Sequence, residues 1–106
     1  MNASGIRYRI IVTQEAEDDL RNASKYIRRD NARAAGEWLR GIRKKMKTLA
    51  QYPERCNFAP ESGSFNEPIR ELFHGSGNRG TYRILFVVLA KAVFVLHIRH
   101  GSMLPL

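Results

Sequence analysis

The chain has 106 residues, 43% of them hydrophobic, which suffices for one domain with one modest core and not for two. Lysine and arginine number 18 against 10 aspartates and glutamates, and the resulting charge of +8 favours a polyanionic or acidic partner. Cys56 stands alone, which excludes an intrachain disulfide; no Cys/His spacing fits zinc, and the longest apolar run, Ile84 to Ala90, is far too short to span a bilayer.

In chain order, Met1 to Ile6 lacks the basic segment and apolar run of a signal peptide, so a cytoplasmic location is expected. Tyr8 to Val12, apolar and β-branched, reads as a strand. Thr13 is a helix N-cap, followed by Glu15, Glu17, Asp18 and Asp19, which the positive end of a helix dipole favours. Ala16, Leu20, Ala23 and Ile27 then mark one face of a helix that Arg28, Arg29 and Asp30 close. Asn31 can cap a second helix, with Ala35, Trp38, Leu39, Ile42, Met46 and Leu49 as its apolar stripe and Pro53 forcing the stop. The very short link between the stripes predicts an antiparallel hairpin.

Gln51 to Pro68 holds Pro53, Pro60, Gly63 and Pro68 and shows no period, the pattern of a mobile or functional loop. Its Phe58 and Phe65 read as exposed anchors or as part of a tethered cover, and Cys56 as a structural thiol. Ile69 to His74, Gly80 to Leu89 and Ala92 to Arg99 are the remaining strands, with a turn at Gly75-Ser76-Gly77-Asn78 and a hairpin at Leu89 to Ala92. The last two strands are apolar on both faces and belong at the centre of the sheet. The expected architecture is a single α+β domain over residues 1–106. A helical hairpin packs on a mostly antiparallel sheet, with flexible ends at 1–6 and 102–106.

Several segments acquire weight from their order. They are Tyr8-Arg9-Ile10, then Glu15-Ala16-Glu17-Asp18-Asp19-Leu20, Tyr26-Ile27, Ala35 with Trp38-Leu39, and Leu49-Ala50-Gln51-Tyr52-Pro53. Tyr82-Arg83-Ile84-Leu85-Phe86 and His97-Ile98-Arg99-His100-Gly101 complete the set. Together they resemble the ParE/RelE toxin superfamily (plasmid-stabilisation proteins) from Tyr8 to about Gly101, with the strand–helix–helix–three-strand order of that fold. The resemblance implies the toxin of a type II toxin–antitoxin pair, neutralised by a cognate antitoxin whose tail lies over the toxin's helices and sheet. It also implies two targets. ParE-like members inhibit DNA gyrase, whereas RelE-like members cut messenger RNA on the ribosome. The ParE-like branch is favoured here, because the long paired helices and the Arg-His-Gly ending fit it and the RelE-type lysines and terminal tyrosine are missing. A degenerate toxin retaining only antitoxin binding is the third reading.

On the RelE-like alternative, a metal-independent endoribonuclease without cofactor, the resemblance places Arg83 at the scissile phosphate and His100 as acid or base. Arg70, Glu71 and His74 stand where that branch carries lysines or a glutamate. For Arg83 the competing reading is a sheet-margin arginine paired with a carboxylate or capping carbonyls. For His97 it is a packed or edge-facing ring. As a target- or antitoxin-binding surface, the second helix offers Arg40, Arg43, Lys44 and Lys47 around its apolar stripe, and acidic antitoxin residues are expected against it. The sheet half offers Arg70, Arg79 and Arg99 beside Arg83, opposed only by Glu71. Trp38 and Tyr52 read as core and cap. No membrane partner is expected.

Overall fold

The computed structural model describes residues 5–64, 68–75 and 80–102. The expectations for residues 1–4 and 103–106, for Phe65 and for Arg79 fall outside them. Strand β1 (Arg9–Val12) leads to helices α1 (Gln14–Arg28) and α2 (Ala32–Lys47), and β2 (Arg70–His74), β3 (Tyr82–Leu89) and β4 (Ala92–His100) follow. The sheet order is β1-β4-β3-β2, with β1 parallel to β4 and the other pairs antiparallel. The α+β arrangement is the expected one, and the two strands apolar on both faces are central.

Local chemistry accounts for the helix ends. The Ala16 amide donates to Thr13 Oγ1 at 3.2 Å, and that hydroxyl donates in turn to the Val95 carbonyl at 2.8 Å, tying the start of α1 to β4. Asn31 caps α2 through Oδ1, which accepts from the Ala34 amide at 3.0 Å. The α2 stripe runs to Leu49, but the α-helix stops at Lys47, and Leu49 reaches the core from a 3-10 turn over Thr48–Ala50. Thr48 Oγ1 donates to the Lys45 carbonyl and the Arg55 guanidinium takes three carbonyls just beyond, which closes the helix ahead of Pro53.

Ala16, Leu20, Ile27, Ala35, Trp38, Ile42 and Met46 of the hairpin pack on Tyr82, Ile84, Phe86, Val93, Val95 and Ile98 of the sheet. The opposite face holds a smaller cluster of Ala59, Ile69, Leu85 and Val87. Ala59 comes from the 51–68 segment, whose described residues are more ordered than their composition suggests. That segment carries 3-10 turns at Pro53–Arg55 and Pro60–Ser64. Residues 57–59 run beside β2, with the Ala59 amide donating to the Ile69 carbonyl and the Glu71 amide to the Asn57 carbonyl. It is a strap across the second face.

Candidate functional site

The strap brings Glu61 under the sheet, where only 1% of it is exposed. A carboxylate so deep needs a cationic partner, and Arg83 on β3, itself 7% exposed, supplies one. Arg83 Nη2 and Nη1 donate to the two Glu61 oxygens at 2.7 and 3.0 Å, and Nε donates to Glu71 Oε1 at 2.9 Å. The hydrogen bonds it donates to Glu61 are the main reason that the guanidinium is held above its usual range, against the opposing effect of burial. Within the expected basic set of the sheet half, Arg83 is therefore neutralised. Glu61 joins Glu71, and two carboxylates more than offset Arg83. A composition count of the carboxyl-terminal third misses Glu61 because the strap delivers it from outside that third.

Alternation along the strands separates the two catalytic candidates. Tyr82 pairs with His100 and Arg83 with Arg99 in the β3–β4 register. The Tyr82 and His100 rings meet edge to face at 5.0 Å, and Tyr82 meets Trp38 of α2 at 4.9 Å, so this pair lies on the hairpin side. Arg83 lies on the strap side. Arg83 and His100 thus point to opposite faces and do not converge on one point. His100 is also engaged. Its Nδ1 accepts from the Ser102 amide at 3.1 Å and lies 2.7 Å from the Ser102 hydroxyl. Gly80, at φ 71°, clears room for the ring, since a Cβ there would stand 2.8 Å from Nε2.

His97 is the edge-facing ring. β1 covers β4 only as far as Val95, and Asp19 of α1 takes over beyond it, accepting from the Ile98 amide at 2.9 Å and meeting His97 Nδ1 at 3.1 Å. Outside this junction lies a cleft of about 500 Å³ lined by Asn22, Tyr26, Tyr82, Arg99 and His100. On β2, His74 lies 6.5 Å from the Trp38 ring, and burial first, then Lys45, pushes its pKa down.

The hairpin's outer surface is a separate candidate. A groove of about 530 Å³ between α1 and α2 is lined by Leu20, Ser24, Lys25, Arg28, Leu39 and Arg43. Arg43 is engaged by Glu17 at 2.8 Å, and that hydrogen bond holds the Glu17 carboxyl below its ordinary range. Arg40, Lys44 and Lys47 are exposed, with no ion pair among the described residues. Arg70 pairs with Phe86 across β2 and β3, on the sheet face opposite Arg83, and its guanidinium stacks over Phe58 at 4.2 Å. Tyr52, read as a cap, is 47% exposed at φ 50°. Among the described residues no three His, Cys, Asp or Glu side chains are grouped so as to hold a metal. No described helix is long and apolar enough to cross a membrane.

The family model described as ParE toxin of type II toxin–antitoxin system, parDE, matches residues 10–105. A solved structure titled "Chromosomal ParDE TA system from P. aeruginosa" has a chain that superposes with a TM-score of 0.69. The match covers 91% of this chain and 98% of that one at 20% identity, a likeness of fold. A search of curated proteins finds no match.

Proposed function

The chain belongs to the ParE toxin family of type II toxin–antitoxin systems, and on that footing we propose that it inhibits DNA gyrase and is silenced by an antitoxin that is acidic where it meets α2. One observation carries the choice of gyrase over messenger RNA. Cleaving RNA without a metal needs a base, an acid and a phosphate-binding cation within hydrogen-bond reach of one phosphate. Here Arg83 is enclosed by Glu61 and Glu71, and His100 lies on the other face. No single phosphate can use both. For the antitoxin, Arg40, Lys44 and Lys47 are among the cations of α2 left to attract acidic residues, Arg43 being held by Glu17.

The test is induction of the chain alone, with pulse-labelling of new DNA and new protein, followed by a supercoiling assay with purified gyrase. DNA synthesis stopping first, with supercoiling inhibited, is the expected result. Arrest of protein synthesis with cleaved messenger RNA and normal supercoiling would transfer the function to the ribosome. No growth arrest would leave a degenerate toxin. Antitoxin affinity should fall steeply with salt, and replacing Lys44 and Lys47 by serine should flatten that dependence.

A further inference from the structure

The arginines divide by what occupies their N–H groups. Arg21, Arg33, Arg43 and Arg83 meet carboxylates. Arg55 and Arg70 are held as firmly, but by neutral oxygens. Arg55 donates to the carbonyls of Thr48, Gln51 and Tyr52 and to Thr48 Oγ1, while Arg70 donates to the carbonyls of Glu54 and Cys56. Both guanidiniums are fixed in place, and their charge is not cancelled by an ion pair among the described residues. Lys45 joins the group through Thr48, whose Oγ1 donates to the Lys45 carbonyl and accepts from Arg55 Nη2. The local acid is Glu54, whose carboxylate accepts from Tyr8 Oη at 3.2 Å.

Two aromatic rings stand in this field. Phe58 is 56% exposed, with one face under Arg70. Tyr52 is 47% exposed on a backbone in the left-handed region, a conformation costly for a non-glycine residue and common at binding sites. Fixed cations that are not neutralised, beside exposed rings, are what a single strand of nucleic acid needs. Phosphates meet the cations and unpaired bases stack on the rings. An acidic protein would meet the same cations, and it is the competing occupant that displacement by polyglutamate tests.

We propose that Tyr52, Phe58, Lys45, Arg55 and Arg70 form a docking surface for single-stranded nucleic acid. It stands on this geometry alone and does not depend on the gyrase reading, so a chain that causes no growth arrest can still bind an oligonucleotide here. The measurement is fluorescence anisotropy with short labelled oligo(dT) and oligo(U) strands and a duplex of equal length, circular dichroism confirming the fold of each variant. Either single strand should bind more tightly than the duplex, and the two arms distinguish DNA from RNA. Tyr52→Ser with Phe58→Ser should weaken binding roughly tenfold or more. Arg70→Gln should lower the slope of log affinity against log salt by about one, while Arg33→Ser on the hairpin leaves affinity unchanged. Equal affinity for duplex and single strand, an unaffected double variant, or an Arg33→Ser loss as large as that of Arg70→Gln would each overturn the proposal. So would polyglutamate displacing the oligonucleotide as readily as unlabelled strand does.

Discussion

The two faces of the sheet are held by different physics. Against the hairpin, Leu20, Ile42 and Phe86 are almost wholly buried among other apolar side chains, and many small contributions add without any one being decisive. Against the strap, the apolar cluster is small and one ion cluster closes the cover, with Glu61 reaching Arg83 across 22 positions of sequence. A face built from many parts stays packed when one is removed, at the cost of a cavity. A face closed by a buried charge does not, because removing either partner leaves the other uncompensated.

The largest expected effect tests that contrast directly. Glu61→Ala should destabilise the fold by about 3–5 kcal/mol in chemical denaturation, and should make the strap sensitive to trypsin at Arg55. Replacing the cluster as a unit (Glu61→Leu, Arg83→Met, Glu71→Gln) should recover most of that loss, since no charge is then stranded. If Glu61→Ala costs less than about 1 kcal/mol, the strap is held by its backbone bonds instead. On the hairpin face, Ile42→Ala should cost about 2–5 kcal/mol, within the range of a cavity in a close-packed core, and leave trypsin cleavage at Arg55 unchanged.

A smaller effect is set by acid. His74 has its pKa lowered from 6.5 by burial and Lys45, so its contribution is whole above that value and is lost as pH falls through the depressed folded value. Glu17 is lowered from 4.5 by Arg43, so its contribution is present above that and goes in the same sense at lower pH. Melting temperature should therefore fall in two stages on acidification. The upper stage should vanish in His74→Gln and the lower should shrink in Glu17→Gln, Asp18 supplying the remainder. Trp38, the only tryptophan, lies 6.5 Å from His74, and its fluorescence should be quenched with a midpoint below 6.5. A midpoint at or above 6.5 would contradict the desolvated setting of His74. The smallest effect belongs to the β3–β4 turn, where Ala90 sits at φ 54°. Ala90→Gly should stabilise by about 0.5 kcal/mol, read as a small rise in melting temperature.

The same contrast explains what the amino-acid pattern made legible. Hairpin and central strands announce themselves through repeated apolar spacing, and Thr13 and Asn31 mark helix starts because their caps act within three residues. The end of α2 was less readable, because the stripe continues through Leu49 in a 3-10 turn. For the candidate site, the identity of Arg83 was visible and its partner was not. Glu61 lies in a segment without period, and only the strap's path brings it beneath β3. One clue existed: an arginine in a strand apolar on both faces requires a carboxylate from somewhere. The separation of Arg83 from His100 follows from strand alternation once the β3–β4 register is known, and the turn at Ala90-Lys91 carries no residue pair that would have fixed that register.

The placement of β1 has a consequence for synthesis. Among the described strands its only neighbour in the sheet is β4, so residues 9–12 wait for residues 92–95 before they can pair. At about 5–20 residues per second, a ribosome spends several seconds making the intervening chain. Through that interval the hairpin can form and a partner that recognises its outer surface can find it, while the sheet stays incomplete. Nascent chains cut short before β4 lack the strand that joins the two halves of the molecule. A growing polypeptide of this design completes its sheet only after β4 has been made.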